Sequence, residues 1–313
     1  MTISSMRVTT PSGHTGTSTN YQIHVYGKYW DPSFQKIRVA AQYLAGDMPN
    51  VDAVVQGFFE TQYEQQLRYI VGKYGGSFVQ CKPSAPVVFA ETDDAILFFL
   101  NEDRFMQWAD KRFKYQDNTR LIFYKRIANK AHAAVKAATG RSYCALSFQA
   151  AGEEKELVQI ELFDEECPKL ARNFIDLLSK AAFNGHPVHR VKAGAWVQAG
   201  DLVDGSGLHS SPAAGDGAPL RHESFQIRHD RGGLIGMCNH GKDTNGSQFY
   251  ITLRELPFLD GKSVIIGRIV SGMRALHKIN KMPTKNERPV QEVKIFAEPE
   301  YTVVGSLQSA DKS

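Results

Sequence analysis

The side chains best placed for recognition lie in one stretch, Gly232 to Gly272, where short apolar runs alternate with turns. A polar loop, Asn239 to Gly246, leads into a predicted strand at Gln248 to Leu253. A turn at Leu259 to Lys262 leads into a second predicted strand, Ser263 to Val270. The Asn-Gly and Asp-Gly pairs in this stretch are strong hairpin signals. On pattern alone, the stretch is two hairpins of an antiparallel sheet.

Histidine and cysteine side chains could supply metal or redox chemistry, but their spacing indicates neither. The chain has 4 cysteines, widely spaced and without a Cys-x-x-Cys pair, which is typical of reduced thiols and not of a disulfide framework. His186 and His189 are the only close histidine pair, and no Cys or acidic residue lies at ligand spacing around them. No glycine-rich phosphate loop is present. We therefore expect no metal and no cofactor.

The length and the charge of the chain limit the classes of function. A chain of 313 residues is long enough for two domains, each with its own core. The net charge of +4 is too small to indicate a nucleic-acid-binding protein. No apolar run approaches the length of a membrane span, and the first residues are mostly Ser, Thr and Gly, so we expect neither a secretory signal nor a membrane segment. Residues 1–20 are predicted to be disordered or to act as a docking arm.

Residues 21–116 predict strands and helices in the order βαβαββα. Alternation predicts a strand at Tyr21 to Gly27, and Asp31-Pro32-Ser33 predicts the start of a helix. Asn101 is the predicted N-cap of the last helix of this region. Helical spacing predicts two inward faces: Phe34, Ile37, Ala41 and Leu44 in the first helix, and Phe105, Trp108, Ala109 and Phe113 in the last.

This order resembles a thioredoxin or glutaredoxin domain, with Ala85-Pro86 where that family has its cis-proline. Redox activity does not follow, because it needs a low-pKa thiolate at the start of the first helix. The loop Tyr29 to Phe34 has no cysteine, and Cys81 lies elsewhere. We expect this α/β domain to bind or brace a partner and not to exchange disulfides.

The segment 117–141 is predicted to be a basic helical connector. Its alanine-rich part, Ala128 to Ala138, has high helix propensity. One interpretation is a solvated helix between two domains. The other is docking to an acidic surface, such as a protein tail or nucleic acid, although no interleaved aromatic residues single out nucleic acid.

Residues 142–300 resemble a cyclophilin-type peptidyl-prolyl isomerase domain. The resemblance rests on four segments: PKLARNF from Pro168, VHRVKAGAWVQAGD from Val188, NGSQFYIT from Asn245 and FLDGKSVIIGRI from Phe258. It implies a mainly-β domain, a closed eight-stranded antiparallel barrel with two helices. Val290 to Glu298 would be the strand that closes the barrel, and residues 301–313 a polar tail.

Isomerisation of an X–Pro bond needs no acid, base, nucleophile or metal, because its barrier of about 18–20 kcal/mol arises from amide resonance. The catalyst holds the proline ring and directs a donor at the prolyl nitrogen, a task that suits arginine. The resemblance implies that Arg190 is the catalytic arginine and that Gln198, Asn239, Gln248 and Leu259 bind substrate. Considered alone, Arg190 would be a surface arginine on a strand.

Several pocket positions depart from the family. Ala195 and Trp196 replace a phenylalanine and a methionine, and Tyr250 replaces a second phenylalanine, adding a hydroxyl that needs a partner if buried. The other replacements are His240, at the rim, for an alanine, Phe258 for a tryptophan and Ser263 for a histidine. Loss of one large apolar wall removes about 1.5–3 kcal/mol of contact, or roughly ten- to hundredfold in rate. Trp196 either refills the space or plugs the pocket.

The whole chain is similar to a divergent subgroup of the family that joins a degenerate thioredoxin-like half to a cyclophilin domain. This resemblance implies weak or absent isomerase activity and a structural or peptide-docking role in the cytoplasm, in the microtubules of the ciliary axoneme. The implied partners are proline-containing peptides, tubulin and other axonemal proteins. The alternative is an active isomerase that assists protein folding.

Overall fold

A computed structural model describes residues 19–213 and 218–305. The chain divides between Thr139 and Gly140 into two compact units. Most of the predicted N-terminal arm, most of the polar tail and part of the loop at 204–218 lie outside the described residues. Within the described ranges, no helix is both long enough and apolar enough to cross a membrane.

The first unit has the order of strands and helices that its sequence predicts. The elements are β1 (Tyr21–Lys28), α1 (Pro32–Asp47), β2 (Val51–Phe58), α2 (Glu60–Tyr74), β3 (Val87–Glu91), β4 (Ile96–Phe99), α3 (Glu102–Phe113) and α4 (Leu121–Thr139). They form a four-stranded sheet of order β2-β1-β3-β4. Strands β1 and β2 are parallel, whereas β3 is antiparallel to both β1 and β4.

Local signals at the helix starts act as predicted. The Asp31 carboxylate accepts from the Ser33 N–H at 2.9 Å, and Pro32 occupies the first turn of α1. The Asn101 side chain caps α3 by accepting from the Arg104 N–H at 3.0 Å. The predicted inward residues of α1 are all buried against the sheet.

The first unit differs from the thioredoxin family at the proline before β3. The described residues contain no cis peptide bond, so the Ala85–Pro86 bond is trans. Cys81 follows a short 3-10 helix, Gly76–Gln80, and burial raises its pKa to about 11. Its side chain is therefore a neutral thiol at physiological pH.

The basic helix α4 begins earlier than its alanine-rich part and packs on α1. Tyr124 and Ala128 are its buried residues, and the Tyr124 hydroxyl donates to the Asp117 carboxylate at 2.9 Å. The His132 ring lies 5.0 Å from the Trp30 ring and 5.9 Å from the Phe59 ring. One face of α4 thus belongs to the core of the first unit, while Lys125, Arg126 and Lys130 are exposed to solvent.

We predict that His132 makes the first unit less stable in mild acid. Burial, followed by the charge of Lys136, lowers the pKa of His132 to about 4. The unfolded chain therefore binds this proton more readily, and the stabilisation present above pH 6.5 is lost as pH falls from 6.5 to about 4. Phenylalanine keeps the ring contacts and does not titrate.

Urea unfolding of the wild type and of His132→Phe at pH 7 and pH 4.5 measures this effect. The wild type should lose more stability than the variant between the two pH values. His240→Gln, which changes an exposed histidine, should behave like the wild type. Equal losses in the wild type and in His132→Phe would contradict the prediction.

The second unit is built on one antiparallel sheet with two α-helices. The strands are β5 (Tyr143–Ala150), β6 (Glu156–Leu162), β7 (Arg190–Lys192), β8 (Trp196–Ala199), β9 (Leu234–Met237), β10 (Phe249–Thr252), β11 (Ile265–Ser271), β12 (Thr284–Lys285), β13 (Arg288–Pro289) and β14 (Val293–Ala297). The helices are α5 (Pro168–Ser179) and α6 (Met273–Asn280). Strands β12 and β13 form a separate hairpin.

The eight-stranded sheet is open, so the predicted closed barrel is wrong. Its strand order is β14-β5-β6-β11-β9-β10-β8-β7, which leaves β14 and β7 at the two edges. The segment before β7 reaches β14 through a single bridge at Pro187 and three backbone hydrogen bonds. The Gly185 N–H donates to the Ile295 carbonyl at 2.9 Å, the Ile295 N–H to the His186 carbonyl at 2.9 Å, and the Val188 N–H to the Val293 carbonyl at 2.8 Å.

The concave side of the sheet and the two helices enclose the core. Leu170, Phe174, Leu177 and Leu178 of α5 are buried there, as their helical spacing predicts. Alternate residues of the cleft strands, including Val191, Val197 and Ile251, point into the same core. The residues between them must therefore face the opposite side of the sheet.

Candidate peptide-binding cleft

Four neighbouring strands place the predicted site residues in one row. Arg190 of β7 pairs with Gln198 of β8, Gln198 pairs with Tyr250 of β10, and Tyr250 pairs with Gly236 of β9. Directly paired residues of an antiparallel sheet project from the same face. Trp196 lies on this face as well, because it is two residues from Gln198.

Gln198 and Gln248 form a continuous amide chain along one wall. Gln198 Nε2 donates to Gln248 Oε1 at 3.0 Å. Gln248 is buried, and its Nε2 donates to the Gly207 and His209 carbonyls at 2.9 and 2.8 Å. The wall is thus tied to the loop that follows β8.

Asp201 holds this loop in shape. Its carboxylate accepts from the N–H groups of Val203, Gly207 and His209. Burial alone would raise the pKa of Asp201, but these N–H groups outweigh it and hold the pKa well below its usual range. Asp201, Asp204 and His209 are close enough to hold a cation, yet the oxygens of Asp201 already accept these donors.

Arg190 is held from two sides. Its Nε donates to Glu287 Oε2 at 2.7 Å, and its guanidinium carbon lies 5.4 Å from the centre of the Trp196 ring. The Arg190 side chain is 44% exposed. Glu287 also accepts from Lys192, so one carboxylate is shared between two cations.

The Trp196 ring lies across the polar wall. Ala195 has only a methyl side chain and cannot form a wall of that size. The indole Nε1 donates to Gln198 Oε1 at 3.3 Å, and the ring lies edge-on to Tyr250 at 6.4 Å. Ala195 is buried in the β7–β8 turn, where its N–H bonds to the Lys192 carbonyl and its carbonyl accepts from Leu253.

The hydroxyl of Tyr250 has the partner that its burial requires. His229 Nε2 lies 2.6 Å from the Tyr250 oxygen, and His229 Nδ1 lies 2.8 Å from Asp260 Oδ1. Since a carboxylate only accepts, Nδ1 carries a proton, and in the neutral ring Nε2 accepts from the tyrosine. Burial is the main cause that raises the pKa of Tyr250.

Gly236 makes room for this tyrosine. A Cβ atom at Gly236 would lie 2.4 Å from the Tyr250 hydroxyl oxygen, closer than any two such atoms approach. Neither Gly236 nor His229 was identified from the sequence. His229 is 21 residues from Tyr250, and only the strand pairing brings them together.

The opposite side of the cleft carries Asn239. Its Nδ2 donates to the Lys262 carbonyl at 2.8 Å, which joins this loop to the turn that contains Leu259. In the described part of the chain, the main-chain groups of Asn239 make no hydrogen bond, so they are available to an extended peptide. This is the role that the family resemblance implies.

The rim residues are less closely integrated. Phe258 is 54% exposed in a short 3-10 helix, Pro257–Leu259, and Leu259 is half-buried. His240 is exposed. Across residues 19–213 and 218–305, no hydrogen bond or ring contact joins Phe258 or His240 to Arg190.

The curled sheet, its two helices and the Arg190–Gln198–Gln248 wall define a cyclophilin-type domain. The family model for the cyclophilin-type peptidyl-prolyl cis-trans isomerase/CLD matches residues 146–298. A Bos taurus protein, "Probable inactive peptidyl-prolyl cis-trans isomerase-like 6", is 30% identical over 295 residues, which cover 88% of this chain and 92% of the bovine protein. The chain therefore belongs to the cyclophilin-type peptidyl-prolyl isomerase family.

Two further relatives show how the similarity is distributed. The Homo sapiens protein of the same name is 27% identical over 292 residues, covering 88% of this chain and 90% of the human protein. Peptidyl-prolyl cis-trans isomerase B of Saccharomyces cerevisiae is 42% identical over 158 residues, covering 48% of this chain and 76% of the yeast protein. Both units of the chain therefore have counterparts in the isomerase-like 6 proteins.

We predict that Tyr250→Phe destabilises the second unit. The change keeps the ring but leaves His229 Nε2 buried without its partner, which costs about 1–3 kcal/mol. Urea unfolding at neutral pH measures the loss. Tyr301→Phe, at a tyrosine that is 40% exposed, is the matched control and should change stability by less than about 0.5 kcal/mol. A neutral or stabilising Tyr250→Phe would contradict the hydrogen bond.

Proposed function

We propose that this protein is a divergent cyclophilin whose cleft binds proline-containing peptides with weak or absent isomerase activity, and that it acts as a docking protein. The observation that carries the proposal is the position of Trp196. Its indole lies against the Arg190 guanidinium and donates to Gln198 Oε1. The two groups that would act on the peptide are thus both in contact with the protein's own tryptophan.

The lost aromatic wall supports the same proposal. Ala195 is buried in a turn and offers one methyl group where the family has a phenylalanine ring. The missing contact, about 1.5–3 kcal/mol, corresponds to roughly ten- to hundredfold in rate if all of it is felt in the transition state. The names of the bovine and human relatives, which include "probable inactive", agree with this expectation.

The alternative function is an active isomerase that assists protein folding. It is favoured by the retained row of Arg190, Gln198 and Gln248 and by the free main chain of Asn239. Similarity to the yeast isomerase B also favours it. Rate measurements separate the two functions.

We predict that Ala195→Phe with Trp196→Met raises isomerisation of an Ala-Pro peptide by about tenfold or more, because an apolar wall is restored and the indole is removed. Two-dimensional NMR exchange spectroscopy measures the rate. Arg190→Ala should abolish any exchange, in the wild type and in the double variant. Arg274→Ala, at a side chain that is 89% exposed, is the control for loss of an arginine. A wild type as fast as the yeast isomerase B, measured in parallel, would make the active isomerase the correct function.

For the first unit we propose a thioredoxin-like domain without redox activity, spanning residues 21–116, followed by the basic segment 117–141 as a docking element. Helix α4 contains no acidic residue, and its exposed cations include Lys125, Arg126 and Lys130. This charge suits an acidic partner such as tubulin. Together with the family resemblance, this charge supports the proposal that the protein acts in the cytoplasm, on the microtubules of the ciliary axoneme.

We predict that neutralising α4 weakens microtubule binding. Lys125→Gln, Arg126→Gln and Lys130→Gln together should reduce co-sedimentation with microtubules severalfold, and added salt should weaken the wild type in the same way. The matched control changes three exposed lysines of the second unit to Gln: Lys242, Lys281 and Lys285. A wild type that stays in the supernatant would refute tubulin as the partner.

A further inference from the structure

In the described residues, the Arg190 guanidinium makes no hydrogen bond to its cross-strand partner. Gln198 pairs directly with Arg190, and such pairs have Cβ atoms about 4.5–5.5 Å apart, within reach of a hydrogen bond. Yet in the described residues Gln198 bonds to Trp196 and Gln248, and Arg190 Nε bonds to Glu287. The guanidinium thus contacts the indole of β8 and the Glu287 carboxylate, and in the described residues it makes no hydrogen bond to Gln198.

Glu287 reaches Arg190 from the β12–β13 hairpin. The two residues of its turn, Asn286 and Glu287, have φ values of 50° and 62°. A two-residue turn with both φ values positive strongly favours glycine at its second position. Glutamate adopts this backbone with strain. A role of the Glu287 side chain, and not turn propensity, therefore explains a glutamate at this position.

The hairpin holds the Glu287 carboxylate at a defined place beside β7. The Val191 N–H donates to the Glu287 carbonyl at 2.6 Å, which attaches the turn to the free edge of β7. Arg288 Nη2 donates to the Gly205 carbonyl at 2.7 Å, which anchors the other arm of the hairpin on the loop that supports Gln248. Both bonds are independent of the carboxylate.

The Glu287 carboxylate is bonded to two cations. Its Oε2 accepts from Arg190 and its Oε1 accepts from Lys192 at 2.5 Å. The three side chains are 32–49% exposed, so water can replace any of these contacts. A single substitution can therefore strengthen or weaken the contact between Glu287 and Arg190 without opening the core.

We propose that Glu287 is a positioning residue that engages the Arg190 guanidinium and keeps it from hydrogen-bonding to Gln198 and to a bound prolyl peptide. The inference rests on the proposed function, in that it takes the cleft to be a proline-peptide site. Glu287 limits both peptide binding and isomerisation by competing with the peptide for the guanidinium. Lys192 opposes it by drawing on the same carboxylate.

Two substitutions should then act in opposite directions. Glu287→Gln should raise peptide affinity and the isomerisation rate by about two- to fivefold, the range expected for loss of one exposed ion pair. Glu287→Gly should do the same while relieving the strained turn. Lys192→Gln should lower both quantities, because it leaves the carboxylate to Arg190 alone. Glu292→Gln, which removes an exposed carboxylate paired with Lys294, is the matched control and should change neither.

Each variant is made in the full chain, alone and with Ala195→Phe and Trp196→Met. Exchange spectroscopy on an Ala-Pro peptide reports the rate, and an NMR titration with the same peptide reports the affinity. The Arg190 Nε–H signal in the NMR spectrum reports the contact with Glu287 directly and should shift in Glu287→Gln. A role confined to folding would change unfolding free energies and leave the affinity of the folded protein unaltered.

The proposal is wrong if Glu287→Gln leaves affinity and rate at or below the wild-type values in both backgrounds while the Nε–H signal shifts. It is also wrong if Lys192→Gln raises them. A wild type that isomerises as fast as the yeast relative refutes the proposed weak activity, but the ratio of Glu287→Gln to wild type still decides the role of Glu287. Absence of peptide binding in the wild type and in every variant refutes both.

Discussion

The cleft depends on the register of four short strands. Because Arg190, Gln198, Tyr250 and Gly236 lie opposite one another, one row of the sheet contains the cation, the amide, the ring and the space for the ring. A shift of one residue in any of these pairings would send one of them into the core. The apolar residues between them, such as Val197 and Ile251, oppose such a shift because it would expose them to water.

Specific partners accommodate the buried hydroxyl group of Tyr250. Its hydroxyl occupies space left by Gly236 and is bonded to His229, which Asp260 orients. A buried hydroxyl without a partner would be costly, whereas this one links the floor of the cleft to the turn that carries Leu259. Divergence from the family at one position is therefore matched by specific partners elsewhere in the same unit.

Arg190 lies on β7, a strand at the edge of the sheet, and this position determines its charged neighbour. In the open sheet, β7 has no neighbouring strand on its outer side, and the β12–β13 hairpin occupies that side instead. The hairpin brings a carboxylate within 2.7 Å of the arginine. Because the sheet is open and not the expected closed barrel, the carboxylate of Glu287 lies beside the candidate catalytic Arg190.

The sequence alone determined the element order of the first unit, the start of α1 and α3 and the two helices of the second unit. These depend on local signals, such as the caps at Asp31 and Asn101 and the spacing of apolar residues, which neighbouring residues are enough to establish. Only the tertiary structure decided the rest. The open sheet depends on which strands pair at its edges, β14 and β7, and the contacts of Tyr250 with His229 and of Arg190 with Glu287 join residues 21 and 97 positions apart. No local pattern encodes such pairs, because they form only when the strands and hairpins are packed together.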